Sequence, residues 1–108
     1  MFGASTFMRL FRMVFREQKT RLQIDWLTNT DERILTYLAT EESEQPAVIA
    51  AEIDRSPEYV SDRCRQLGLR GLLTPIERQT GVRYELSDLG RRYLDDDIDA
   101  EELQERAG

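Results

Sequence analysis

The chain has 108 residues, enough for one domain with one core, and a formal net charge of −6 from 15 basic and 21 acidic residues. It has no histidine and one cysteine, Cys64, which excludes an intramolecular disulfide and largely excludes catalytic triads, His-based general acids and the usual zinc sites. No apolar run reaches the roughly 18 residues of a spanning helix, and no enzyme, cofactor or metal is expected. Fourteen of the basic residues are Arg and one, Lys19, is Lys. An acidic surface poor in Lys points to a very salty cytoplasm, where dense carboxylates keep a protein hydrated. An ordinary acidic protein from a GC-rich genome is the alternative.

Charge is unevenly placed. Residues 1–22 carry net +4, 23–54 net −7, 55–92 net +3 and 93–108 net −6. The first block, a basic N-terminal extension, reads as an amphipathic helix over residues 1–20. Arg9, Arg12, Arg16 and Lys19 fall in a stripe about 80° wide, opposite Phe7, Leu10, Phe11, Val14 and Phe15. Three readings stay open: contact with an acidic membrane surface through residues 7–16, packing on a partner or second copy, or a leader before a true start at Met8 or Met13.

A domain is expected over residues 23–95. Thr28 or Thr30 can cap its first helix, with Asp31 and Glu32 in the first turn and Ile34, Leu35 and Leu38 inward. Trp26 reads as a core anchor. Pro46 suits the first position of a second helix, whose inner face is Ile49, Ala50 and Ile53. Asp54-Arg55-Ser56 breaks it. Ser56 then caps a third helix over residues 57–70, with Pro57 first and Val60, Cys64 and Leu67 buried at i, i+4, i+7. Gly71 suits the position just past its end. Leu72, Leu73 and Ile76, then Val82, Tyr84 and Leu86, read as a two-stranded hairpin with Gly81 in the turn. Ser87 caps a last helix with Leu89, Tyr93 and Leu94 inward. Residues 96–108 form an acidic tail: either one more helical turn anchored by Ile98 and Leu103, or frayed chain.

The expected fold is mainly α with a small β-hairpin, a winged helix-turn-helix. The residues W-L-T, D-E-R-I-L, P-A-V-I-A, I-D-R-S-P-E-Y-V-S-D-R-C-R-Q-L, G-L-L and G-V-R-Y-E-L-S-D-L-G-R-R-Y-L, within about 24–104, resemble haloarchaeal winged-helix regulators of the phage phi-H repressor type, relatives of the MarR-like group. The resemblance implies a cytoplasmic, sequence-specific DNA-binding transcription regulator, most simply a repressor. It would read double-stranded DNA with helix 57–70 and the wing 74–86.

On that reading, Ser56, Tyr59, Ser61, Arg63 and Arg65 on the helix, and Arg78, Thr80 and Arg83 on the wing, are the candidate DNA contacts. Arginine is suited to guanine or phosphate and hydroxyls to either. Glu58 and Asp62 share the helix face opposite Val60, Cys64 and Leu67. They repel phosphate, accept from cytosine N4, or hold neighbouring arginines in place. They also leave open a winged-helix adaptor that binds protein and not DNA. A homodimer reading two half-sites is expected, joined through Phe7, Phe11 and Phe15 or through Ile98 and Leu103.

Overall fold

The computed structural model describes residues 26–98 and 100–107. The expected amphipathic helix over residues 1–20 lies outside the described residues.

Helix α1 spans Asn29–Thr40. Thr28, not Thr30, is its cap: the Thr28 hydroxyl accepts from the Asp31 backbone N–H at 3.0 Å, and the Asp31 carboxylate accepts from the Thr28 N–H at 2.9 Å. This reciprocal box satisfies two donors that a helix start leaves bare. Helix α2 spans Pro46–Ile53, with Pro46 in its first turn, where a missing N–H costs nothing. It stops at Asp54, whose φ of 60° is left-handed, a conformation that Asp tolerates better than most residues.

Helix α3 spans Pro57–Leu69. The Ser56 hydroxyl accepts from the Tyr59 N–H at 3.3 Å. Val60, Cys64 and Leu67 are fully buried. The helix ends before Gly71, whose φ of +83° is reached without the steric penalty of a Cβ. The turn from Ile53 to Pro57 joins α2 and α3 as a helix-turn-helix.

Strands β1 (Leu73–Arg78) and β2 (Gly81–Leu86) pair antiparallel, with Leu73 opposite Leu86 and Arg78 opposite Gly81. Gln79 and Thr80 form the tip, and Gly81 stands just past it, opening β2. One further piece of ladder was not expected. Glu44, in the polar loop after α1, exchanges two backbone hydrogen bonds with Tyr84, at 3.0 and 2.9 Å. The base of the wing is thereby stitched to the chain that leads into α2.

Helix α4 (Asp88–Leu94) is capped by Ser87, whose hydroxyl accepts from the Gly90 N–H at 3.0 Å and donates to the Gly71 carbonyl. A Cβ at Gly90 would overlap the Leu72 carbonyl oxygen, so a residue without one lets α4 lie against the start of the hairpin. Helix α5 spans Ala100–Ala107. Ile98 and Leu103 are buried in the same core as Ile34, Leu35 and Leu38 of α1, Ile49 of α2 and Tyr84 of β2. The two expected anchors are thus spent within the chain rather than offered to a second copy. The result is a mainly helical domain with a two-stranded wing, as the sequence pattern implies. Among the described residues no helix is long and apolar enough to cross a membrane.

Candidate nucleic-acid interface

Burying Val60, Cys64 and Leu67 turns the opposite side of α3 outward. Glu58, Ser61, Asp62 and Arg65 line a groove there with Pro57, and its far walls are the wing tip and the first turn of α2. The groove has a volume of about 670 Å³ and includes Thr80, Gly81 and Val82 from the wing and, at the start of α2, its cap residue Gln45 with Pro46 and Ala47. One concave surface therefore joins the exposed helix face to the hairpin tip.

The charges in this groove are satisfied locally. Arg65 donates through Nη2 to Asp62 Oδ1 one turn earlier. Both side chains stay open to solvent, at 64% and 45% relative exposure. The Ser56 hydroxyl donates to Glu58 Oε1 at 3.0 Å. The Glu58 carboxyl is held below its ordinary range, first by a backbone N–H at the helix start and then by Ser56. Tyr59 stands 43% exposed beside this face.

Two of the expected contact residues turn the other way. Arg63 reaches across to α1, where Nε and Nη2 meet the two oxygens of Asp31 at 2.9 and 2.7 Å. Its Nη2 also donates to the Trp26 carbonyl at 3.0 Å. Asp31 is fully buried and the Arg63 side chain is 17% exposed. The hydrogen bonds that Arg63 donates to Asp31 push its pKa still higher, against the opposing effect of burial. Such a bidentate fork also fixes the angle between two helices. Arg70, one turn past Gln66 at the end of α3, stacks over the Trp26 ring at 4.3 Å.

In the wing, Arg83 turns from the tip toward the α1–α2 loop. It donates to the Ser43 hydroxyl at 3.0 Å and the Ser43 carbonyl at 2.8 Å, with Glu44 at 3.5 Å. Arg78 is exposed near the tip and bonds the adjacent Glu77 carbonyl at 3.3 Å. Of the eight residues singled out from sequence, Ser61, Arg65 and Thr80 line the groove, and Ser56, Tyr59 and Arg78 are exposed outside its lining. Arg63 and Arg83 brace the frame.

The winged helix-turn-helix phage repressor family matches over residues 20–106. The chain belongs to this family. A repressor protein of Halobacterium phage phiH is 31% identical over 86 residues, which cover 76% of this chain and 94% of that protein. No solved structure matches. The family consists of DNA-binding, repressor-type regulators and is not an enzyme family. In this family member, Gln45 and Ala47 complete the groove unmarked in the sequence, and Val82, marked there only as a strand residue, joins them. No local signal marks them as groove residues, because the chain leading into α2 meets the wing across 40 residues, through the Glu44–Tyr84 bridge and the Arg83–Ser43 bonds.

Proposed function

We propose that this protein is a sequence-specific transcription repressor that lays the exposed face of α3 into the major groove of double-stranded DNA while the wing, residues 74–86, engages the flanking backbone. The observation that carries this reading is the convergence of Ser61 and Arg65 from α3 with Thr80 from the wing on one open surface. A helix presented in this way admits base contacts from its outward side chains, and a hairpin tip beside it meets phosphate. Ser56, Tyr59 and Arg78 add contacts around the groove. Arg63 and Arg83 act as positioning residues, holding α3 to α1 and the wing to the loop before α2.

Two copies binding two half-sites supply the affinity that one small module lacks. The acid-rich, arginine-dominated composition and a relative from a Halobacterium phage support a salty cytoplasm. In brine each phosphate contact weakens, with a slope of about −0.9 per neutralised phosphate, so base contacts and paired sites must carry more of the binding. A protein-binding adaptor is favoured by one observation alone, the carboxylates of Glu58 and Asp62 in the groove.

The test is fluorescence anisotropy on DNA from upstream of the protein's own coding sequence, beside scrambled DNA, across a salt series. Tighter binding to the upstream DNA, persisting at high salt and weakened by Arg65→Ala, is expected. Equal, salt-labile binding to both, unchanged by Arg65→Ala, would sink the repressor reading for that region.

A further inference from the structure

We infer that Asp62 and Arg65 act as one preassembled unit that reads a single G·C base pair, with Arg65 on guanine and Asp62 on cytosine. This rests on the repressor reading above and names the base pair that the groove is built for. The pair occupies the outward side of α3, lines the groove and is exposed on both members. Among the described residues, only Nη2 of Arg65 and Oδ1 of Asp62 are engaged, with each other. Both side chains stay open to solvent, at 64% and 45% relative exposure, and the guanidinium has further N–H donors and the carboxylate a second oxygen. The unit therefore presents several donors beside an acceptor.

The major-groove edge of a G·C pair shows the complementary order: two acceptors, N7 and O6, on guanine, and the N4 amino donor on cytosine. An A·T pair fits it less well. With Arg65 over adenine, an amino donor stands where the guanidinium needs an acceptor; with the pair reversed, thymine offers the single acceptor O4 and a methyl group where guanine offers two acceptors. A phosphate also fits less well. Arg65 could pair with it, but Asp62 would be brought against a second negative charge. The carboxylate therefore does two things: it holds the guanidinium in place through the i, i+3 contact, and it makes non-specific backbone binding less favourable. This gives the acids of the reading face a role that a plain basic patch would not require.

The experiment is selection of bound sites from a randomised duplex library by the full chain, as wild type, Arg65→Ala and Asp62→Ala. Affinity for an unselected random duplex is measured at one salt concentration alongside. Both side chains are exposed, so thermal unfolding of the variants should match wild type. The wild type is expected to fix a G·C pair at one position of each half-site, preferred by roughly tenfold or more. Arg65→Ala should randomise that position and leave the others selected. Asp62→Ala should weaken the preference at that position while binding random duplex several-fold more tightly than wild type. Retention of every selected G·C position by Arg65→Ala, or no gain in random-duplex binding by Asp62→Ala, would overturn the inference and leave the repressor reading standing. A wild type that enriches no sequence would remove the repressor reading and this inference with it.

Discussion

Three consecutive residues of α3 face three environments. Arg63 points to α1 and closes on Asp31, Cys64 points into the core, and Arg65 points to the groove and closes on Asp62. The two arginine–aspartate pairs are alike in chemistry and lie two residues apart. They differ in the burial of the partner: Asp31 is fully buried, whereas the Asp62 side chain is 45% exposed. A fully buried carboxylate and its arginine are strongly coupled, because removing either partner leaves the other charge uncompensated. An exposed pair is held weakly and its members stay available to a ligand. The same two residue types thus make a structural clamp on one side of the helix and a reading surface on the other.

The sharpest way to break this contrast is to remove the inner carboxylate. Asp31→Ala leaves the Arg63 guanidinium without its partner and deletes half of the α1 capping box. It should cost about 3–5 kcal/mol in denaturant unfolding, and a loss no larger than that of an exposed pair would show that the clamp is not desolvated. Arg83 lies between the two extremes, a third exposed and bonded to Ser43 rather than to a buried acid. Arg83→Ala should cost about 1–2 kcal/mol by the same measurement. Hydrogen exchange should be faster at the Glu44 and Tyr84 amides, because the base of the wing loses its tie. Unchanged exchange there would mean that the bridge holds by itself.

The difference between the pairs was only partly legible in the sequence. Thr28, Ser56 and Ser87 announced the helix starts, Pro46 and Pro57 their first turns, and Gly71 the end of α3, because each acts within a few residues of itself. Helical period also placed Val60, Cys64 and Leu67 inward and Arg65 outward. Arg63 was harder. It lies three residues after Val60 and four before Leu67, at the edge of the buried stripe, and that position was the available signal that it faces the frame. Its partner lies 32 residues earlier, and Arg83 meets Ser43 across 40 residues. No local pattern encodes such pairings. Gly90 is similar: its need for a missing Cβ arises only when Leu72 arrives from another element.

Cys64, between the two arginines, sharpens the comparison by titration. Burial, with the charge of Asp31 nearby, pushes its thiol from 9.0 up to about 12. A raised folded pKa means that the unfolded chain gives up its proton first. The thiol's contribution to stability is therefore intact below pH 9 and lost as pH rises from 9 toward 12. Cys64→Ala should cost about 1 kcal/mol at neutral pH through lost packing. It should also flatten the fall in urea midpoint between pH 8 and pH 10, and native Cys64 should react with a thiol reagent only at the unfolding rate. A thiol that reacts at once in the native protein would show that this side of α3 is open, contrary to its full burial.

The smallest effect on stability belongs to the outer pair, and its smallness is the informative part. Asp62→Ala breaks a solvent-exposed ion pair, so it should change the unfolding free energy by about 0–1 kcal/mol. Its effect should appear instead in how Arg65 meets added phosphate polyanion. With Asp62 gone, the Arg65 guanidinium carries an unbalanced charge in the groove, and binding of a random duplex should gain a steeper salt dependence, by up to about one unit of slope for one added phosphate contact. The contrast with Asp31→Ala is then complete: one aspartate governs whether the chain folds and the other governs what the folded chain holds. If Asp62→Ala instead destabilised the protein as much as Asp31→Ala, the outer pair would be a second clamp, and the groove would lose the charged unit expected to read DNA.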